Sequence, residues 1–559
     1  MKTTLGLACA LSLLTAVPTA QAQSGDFLAA LVATRSSDAE SATAYLADAL
    51  KKDPGEEALI RQQMRILTIE GEFDAALPYA QDFLLIDRDD PLALKILRIE
   101  AIKRSDWQTA LATLPMVAES RLDSIIETIT YASVLTGDAQ YDEAFAKISE
   151  GLDAIGFAPL GHYARGLIDA ARDRHEDSAD AFANFINQDP FQYPRMAQLA
   201  GEAFERSGDV DNAKLVYEAL LTTGVRTAGE AGLERLRLGE EIPAELKPTA
   251  LDVYTELLFV VARLLSEQDQ SRLAYRYAQE IGYLLDPTDG LYPGYTEVIA
   301  SSLLDLERYT EAEQAYRDLE AVEEFRLAAL LGQVQALSDQ ERYDDALTVL
   351  SRAEVLLGGS PGINRQRGIL YFRAGEYENS VDAFSDWLEA MPQLGLGAAQ
   401  PLFIAGISYY HLDEFDSMER MLLQSLDLRP DNPSVMNFLA YSWVERGINL
   451  DRGFDMLNRA VEMQPDSGAI IDSLGWAYYQ LGQYEEALPH LERAFQLNPW
   501  SWEIAEHVGD VYWQLARTRE AEFFWERALD LPDIPADHVE AIAVKLADGL
   551  PDPDDQPAQ

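Results

Sequence analysis

Apolar residues recur along the chain at helical spacing, and the pattern itself recurs every 34 residues. Ala42, Ala76, Ala110, Ala144 and Ser178 stand at successive intervals of 34. At three of these places an aromatic residue precedes the small one by three positions: Phe73, Trp107 and Tyr141. An apolar residue follows four later in every case, as Leu46, Ala80, Leu114, Ile148 and Phe182. Spacings of three and four put these side chains on one face of a helix. A fixed period of this length means one two-helix unit used repeatedly. The register starts at residue 23, with units beginning at 23, 57, 91, 125 and 159 and a sixth near 194.

The clearest unit is 468–501, GAIIDSLGWAYYQLGQYEEALPHLERAFQLNPWS. Two helices cross closely only where side chains are small, which accounts for Gly475 and Ala487. Leu474, Tyr478, Tyr484 and Leu491 fill the space beside the crossing. Gly482 permits the turn between the helices, and Pro499 ends one unit and starts the next. With Gly475 at its eighth position, Tyr478 at its eleventh, and Ala487, Leu491, Ala494 and Pro499 behind them, the unit resembles the tetratricopeptide repeat (TPR). Units 361–394, 399–432, 433–467 and 502–531 carry the same pattern, and weaker ones lie near 255–288, 293–326 and 325–360. The expected fold class is all-α: a TPR solenoid, a right-handed superhelix of antiparallel helix pairs, with about fourteen repeats in two arrays. Residues 228–254, which hold Pro243 and Pro248, fit no unit and are expected to join an N-terminal array at 23–227 to a C-terminal array at 255–535. Residues 536–550 are expected to cap the last unit, and 551–559 to form a disordered acidic tail.

The first residues follow a different pattern. Leu5 to Val17 is an apolar run of about thirteen residues, too short to span a bilayer comfortably. Pro18 ends it, and Ala20-Gln21-Ala22 has the small-x-small form of a signal-peptidase site. Residues 1–22 therefore read as a signal peptide cleaved between Ala22 and Gln23. The single cysteine, Cys9, leaves with it, so no disulfide is expected. The expected location is the periplasm, with no transmembrane segment after cleavage.

Composition narrows the choice of partner. At 559 residues, 48% apolar and 25% charged, the chain is an ordinary folded one, too long for a single core. Its 95 acidic against 44 basic residues leave a formal net charge of −51. Such a surface repels phosphate backbones, so nucleic acid is excluded as a partner. The six histidines include no pair at the i, i+4 spacing of a zinc site, and the sequence has no HExxH, nucleophile elbow or phosphate-binding loop. Gly358-Gly359-Ser360-Pro361-Gly362 reads as a loop between helices, and Asp286-Pro287-Thr288-Asp289-Gly290 as a plain turn. No catalytic residue, metal or cofactor is expected.

The TPR resemblance implies which residues face a partner. In that family positions 2, 5, 9, 12 and 13 of each unit tend to point into the concave groove. Here they include Arg365, Ile369, Phe372 and Arg373, then Phe403, Ile407, Tyr410 and His411, then Asn437, Tyr441 and Glu445. Asp472, Trp476, Tyr479 and Gln480 follow, and the last unit offers Glu506, Asp510, Trp513 and Gln514. Aromatic rings of this kind anchor peptide or helix partners, or become core where tight curvature lets neighbouring units cover them. Both readings stand at this point.

Three segments carry a closer likeness: Asn437-Phe438-Leu439-Ala440-Tyr441-Ser442-Trp443-Val444, Ile471-Asp472-Ser473-Leu474-Gly475-Trp476-Ala477 and His507-Val508-Gly509-Asp510-Val511-Tyr512-Trp513. With them, residues 255–531 resemble exported TPR proteins of Gram-negative bacteria, in particular the lipoprotein adaptors of a periplasmic carboxy-terminal processing protease. That resemblance implies a scaffold that binds proteins or peptides in its groove and presents substrates to an envelope protease. The alternative is a component of an envelope transport or assembly machine, in polysaccharide export or outer-membrane assembly.

Overall fold

The 34-residue period becomes a run of paired helices. The computed structural model describes residues 25–550 except 36–37, 115–119, 187–193, 223–225, 286–291, 392 and 533. The expected signal peptide with its cleavage point at Ala22 and Gln23, the 286–290 turn and the 551–559 tail lie outside the described residues. Among those residues there are fourteen helix pairs and no strand, so the fold is an all-α solenoid. The helices Arg226–Leu238 and Ala536–Asp548 stand outside the pairs.

The small residues of the period sit where two helices meet. Ala42, Ala76, Ala110 and Ala144 are completely buried, and so in effect is Ser178. On the other helix of a pair, a Cβ placed on Gly475 would come within 2.7 Å of Leu491 Cγ. One on Gly406 would come within 2.7 Å of Leu422 Cδ2. Such contacts let backbones approach closely and leave a large side chain to fill the crossing. The turn between the two helices requires a left-handed residue. Gly482 supplies it with φ 71°, but Ala139 (φ 59°), Glu341 (φ 60°) and Ala516 (φ 59°) take the same conformation despite their side chains.

The chain forms two compact units, residues 1–356 and 357–559. The first holds nine of the described helix pairs. Its pair Ala250–Glu267 and Ser271–Leu284 has an unusual place. Residues Val253 to Ala262 are buried without interruption, which on a helix means burial on every face. Ala250–Glu267 packs against Arg121–Gly137 and Ala158–Ala171, while Ser271–Leu284 reaches Glu57–Ile69 and Pro91–Lys103. All four of these are first helices of their pairs. The first unit thus covers the inner face of its own early repeats with a later helix pair.

Several charged groups on that covered face are matched within the chain, although the buried Nε of Arg276 makes no hydrogen bond. Glu256, nearly inaccessible, accepts hydrogen bonds from Tyr163 Oη at 3.2 Å and Arg195 Nε at 2.9 Å. Glu280 pairs with Lys95 at 2.5 Å. Glu70 accepts from Arg308 at 2.9 Å and from Tyr275 Oη at 2.8 Å.

This folding back moves the division expected at 228–254. Gly229 and Gly232 of the helix Arg226–Leu238 are buried against Leu220 and Tyr217. Leu233, Leu236 and Leu251 pack on the same core as the repeats before and after them. The stretch is an integral part of the first unit, because the pair that follows Pro248 turns back onto the earlier repeats. The chain divides instead between Leu356 and Leu357, just before Gly358 and Gly359, both left-handed, and the helix Pro361–Arg373.

The second unit holds five helix pairs and the terminal helix Ala536–Asp548. That helix packs on Thr518–Leu529 and reaches back through Lys545 to Glu506 and Asp510 of Trp502–Gln514, each at 2.7 Å.

Candidate functional site

In the second unit the first helices of the five pairs are Pro361–Arg373, Ala399–His411, Pro433–Glu445, Gly468–Gln480 and Trp502–Gln514. On each, the small residue at the eighth position faces the paired helix, as Gly406 and Gly475 do. Positions 5, 9 and 12 are one turn apart and form a separate stripe. Of the residues expected on this stripe, Arg365 is exposed. Ile369, Phe372, Phe403, Ile407, Tyr410, Asn437, Tyr441, Trp476, Tyr479 and Trp513 are all half-buried. These side chains are neither sealed core nor free in solvent, and several of the rings lean on an aromatic neighbour.

Ring contacts join successive helices. Phe403 and Tyr410 both meet Phe438 edge-on, with centroids 5.9 and 5.3 Å apart. Tyr410 Oη donates to Glu445 at 3.1 Å. Trp476 stacks on Tyr479 at 4.4 Å and on His507 of the next first helix at 3.9 Å. At the other end Phe372 meets Tyr377 at 6.2 Å, and Tyr377 stacks on His411 at 4.1 Å. Ile369 packs at the edge of the core around Phe384 and Leu402. The Oδ1 atom of Asn437 is shielded and has no hydrogen-bond partner. Trp513 differs from the rest. It lies 5.5 Å from Trp525, and a Cβ on Gly549 would collide with its ring, so the chain just beyond the terminal helix covers it.

Charge is concentrated at the 433–514 end of the row. His507 is buried with Nδ1 3.0 Å from both carboxylate oxygens of Asp472. Burial alone would lower its affinity for a proton, but Asp472, with Glu503 and Asp510 beyond it, outweighs burial and raises the imidazole to about 9. Desolvation, with Asp472 and Glu506 nearby, holds the Glu503 carboxyl above the usual range against the pull of His507. Burial and then Glu445 push the Tyr410 hydroxyl up to about 12. Tyr441 is driven up by burial, then by Glu503, Glu445 and Asp472. Asp510, buried, accepts from Trp525 Nε1 at 2.8 Å and is paired with Lys545.

Several residues of this face escape the positional rule of the repeat. Phe438 and His507 both occupy position 6 of their units, beside a groove position, and Tyr377 comes from a second helix. Glu503 sits at position 2 of its unit, where that rule does look for it. Among the described residues no group of three His, Cys, Asp or Glu could hold a metal ion, and no helix is long and apolar enough to cross a membrane. The arrangement offers contact surface: flat rings on which apolar side chains can rest, and carboxylates at their edge.

Comparison with known proteins agrees with the repeat. Residues 473–501 and 298–362 each match a profile of the tetratricopeptide repeat. Over 87 residues the chain is 33% identical to the BBSome complex member BBS4 of Bos taurus, covering 15% of this chain and 16% of that one. Over 170 residues it is 31% identical to a TPR repeat-containing protein of Pseudomonas aeruginosa, covering 30% and 28%. The chain spans less than a third of the length of these relatives. Among solved structures, Cut9 with Hcn1 from the APC/C covers 97% of the chain and is itself covered to 99%, at 14% identity and a TM-score of 0.38. The chain therefore carries tetratricopeptide repeats, modules that serve as protein-interaction scaffolds.

Proposed function

We propose that this protein is a non-enzymatic scaffold that holds a protein or peptide partner against the inner face of its second unit. We further propose that it acts in the periplasm, as an adaptor that presents substrates to an envelope protease. One observation carries the first part. A row of apolar and aromatic side chains from successive first helices, Ile369, Phe403, Tyr410, Tyr441, Trp476 and Tyr479, stays half-buried at the edge of the core, each keeping part of its surface open. In the first unit the corresponding face is already covered by Ala250–Glu267 and Ser271–Leu284. The adaptor part draws on the likeness of the 437–444, 471–477 and 507–513 segments to exported TPR proteins. The periplasmic part draws on the apolar run and small-x-small pattern at 5–22.

The test uses the full chain without residues 1–22, a purified carboxy-terminal processing protease and a cell-wall hydrolase as substrate. Addition of the protein is expected to speed cleavage, and Trp476→Ala with Tyr479→Ala to abolish the gain while the circular dichroism is unchanged. An equal rate with and without the protein defeats the adaptor reading. N-terminal sequencing of the exported chain is expected to begin at Gln23. Intact Met1 on a cytoplasmic chain defeats the location, and co-fractionation with the outer membrane favours the assembly-machine alternative.

A further inference from the structure

Most carboxylates at the 433–514 end of the row already have a cation. Asp472 has His507, and Glu506 and Asp510 share Lys545. Glu445 and Glu503 differ. Both are exposed, and among the described residues neither makes an ion pair; Glu445 only accepts from Tyr410 Oη. Glu445 is held by Tyr410, and Glu503 stands one turn before His507, which stacks on Trp476 of the preceding first helix; both carboxylates act electrostatically on the hydroxyls of Tyr410 and Tyr441. Phe438 stands edge-on beside Tyr410 and completes an aromatic wall. Aromatic rings with two carboxylates outside any ion pair, one of them acted on by His507 only through space, are the chemistry that holds an organic cation: the rings attract it through their quadrupoles, and the carboxylates supply the charge. On the next helix, Trp476 and Tyr479 stack nearly parallel, at 10°, and offer a flat apolar ledge.

We infer that the part of the groove formed by Tyr410, Phe438, Tyr441, Glu445 and Glu503 seats a lysine or arginine side chain of the bound protein segment, with an apolar residue of the same segment resting on Trp476 and Tyr479. This rests on the groove reading proposed above and adds the ligand's chemistry. The seat is local. At the far end of the row the exposed groove residue is a cation, Arg365.

A chain of net charge −51 attracts any basic peptide, so the test must separate the seat from the general field. Three peptides of equal length and equal apolar content, bearing Lys, Gln or Glu at the same positions, are titrated against the full mature chain by fluorescence anisotropy. The Lys peptide is expected to bind about tenfold more tightly than the Gln peptide, and the Glu peptide most weakly. Glu445→Gln with Glu503→Gln is expected to make the Lys and Gln peptides equal. Glu485→Gln with Glu486→Gln, which removes the same charge from an exposed second helix, is expected to leave the Lys preference in place. If the preference survives the groove substitutions, or falls equally with the control pair, the cation seat is wrong and the groove reading stands. If none of the peptides binds, or Trp476→Ala with Tyr479→Ala leaves binding unchanged, the groove reading itself fails and the seat with it.

Discussion

The two units build the same helix pair and use its inner face in opposite ways. In the first, the Ala250–Glu267 and Ser271–Leu284 pair lies across the first helices of earlier repeats. The charges there are matched inside the chain, as Glu256 is by Arg195 and Tyr163. In the second, no later pair folds back among the described residues. The face keeps half-buried rings along most of its length, with only the Trp513 end covered by the chain near Gly549. The lesson is that a repeat's inner-face positions are not a partner site by themselves. They become structural wherever the chain supplies its own occupant.

The comparison is most exposed to a substitution in the covered face. Glu256→Ala removes a nearly inaccessible carboxylate and leaves the half-buried Arg195 and the buried Tyr163 without their shared partner. It is expected to cost the first unit about 3 kcal/mol, read from urea unfolding and from hydrogen exchange in residues 250–267. A loss too small to detect would mean the helix pair only rests on that face, and the contrast between the units would collapse.

Next in size is a pH effect confined to the second unit. His507 is held near 9 in the folded chain, above its ordinary 6.5, so it binds a proton more tightly when folded. The stability it contributes is complete below about pH 6.5 and is lost as pH rises through 9, by about 3 kcal/mol at most. Tryptophan fluorescence reports this well, because Trp107 is the only tryptophan outside the second unit. The urea midpoint should fall between pH 6.5 and 9, and His507→Asn should flatten the curve. An unchanged slope in that variant would show that another group carries the effect.

A smaller effect is expected from the open face. Trp476→Ala and Tyr479→Ala remove half-buried rings, and each should cost about 1 kcal/mol, well below the value for a fully buried aromatic. Unfolding of the second unit by either would place those rings in the core and remove the distinction from the first.

The smallest effect should be shared by both units, because it concerns the turn they have in common. Ala139 and Ala516 are left-handed and exposed. Ala139→Gly in the first unit and Ala516→Gly in the second should each gain about 0.5 kcal/mol, the relief of a crowded Cβ less the extra freedom of unfolded glycine. A gain in one unit only would show that the repeat geometry is not as uniform as the dihedral angles indicate.

Much of this was legible in the residues. The five small residues at 34-residue intervals are buried at helix crossings, Gly475 meets Leu491, Gly482 takes the turn, and the count of about fourteen pairs holds. The groove stripe was legible as a set of positions, and the structure places ten of its eleven residues half-buried. What those positions do not reveal is their neighbours. His507 and Phe438 join the face from position 6, and Trp513 is covered by the chain at Gly549.

The sequence by itself determined the repeating helix pair. Its signals are local: a small residue, a large residue and a turn, all within 34 positions, and each unit needs only its neighbours to bury its apolar stripe. Only the tertiary structure decided that residues 250–284 close over the early repeats, and that the chain divides beside Gly358 instead of at 228–254. The contacts responsible join Glu70 to Tyr275 and Arg308, across 205 and 238 positions. Whether such residues meet depends on rotations that accumulate from one repeat to the next. No single unit records that sum, so it exists only in the assembled solenoid.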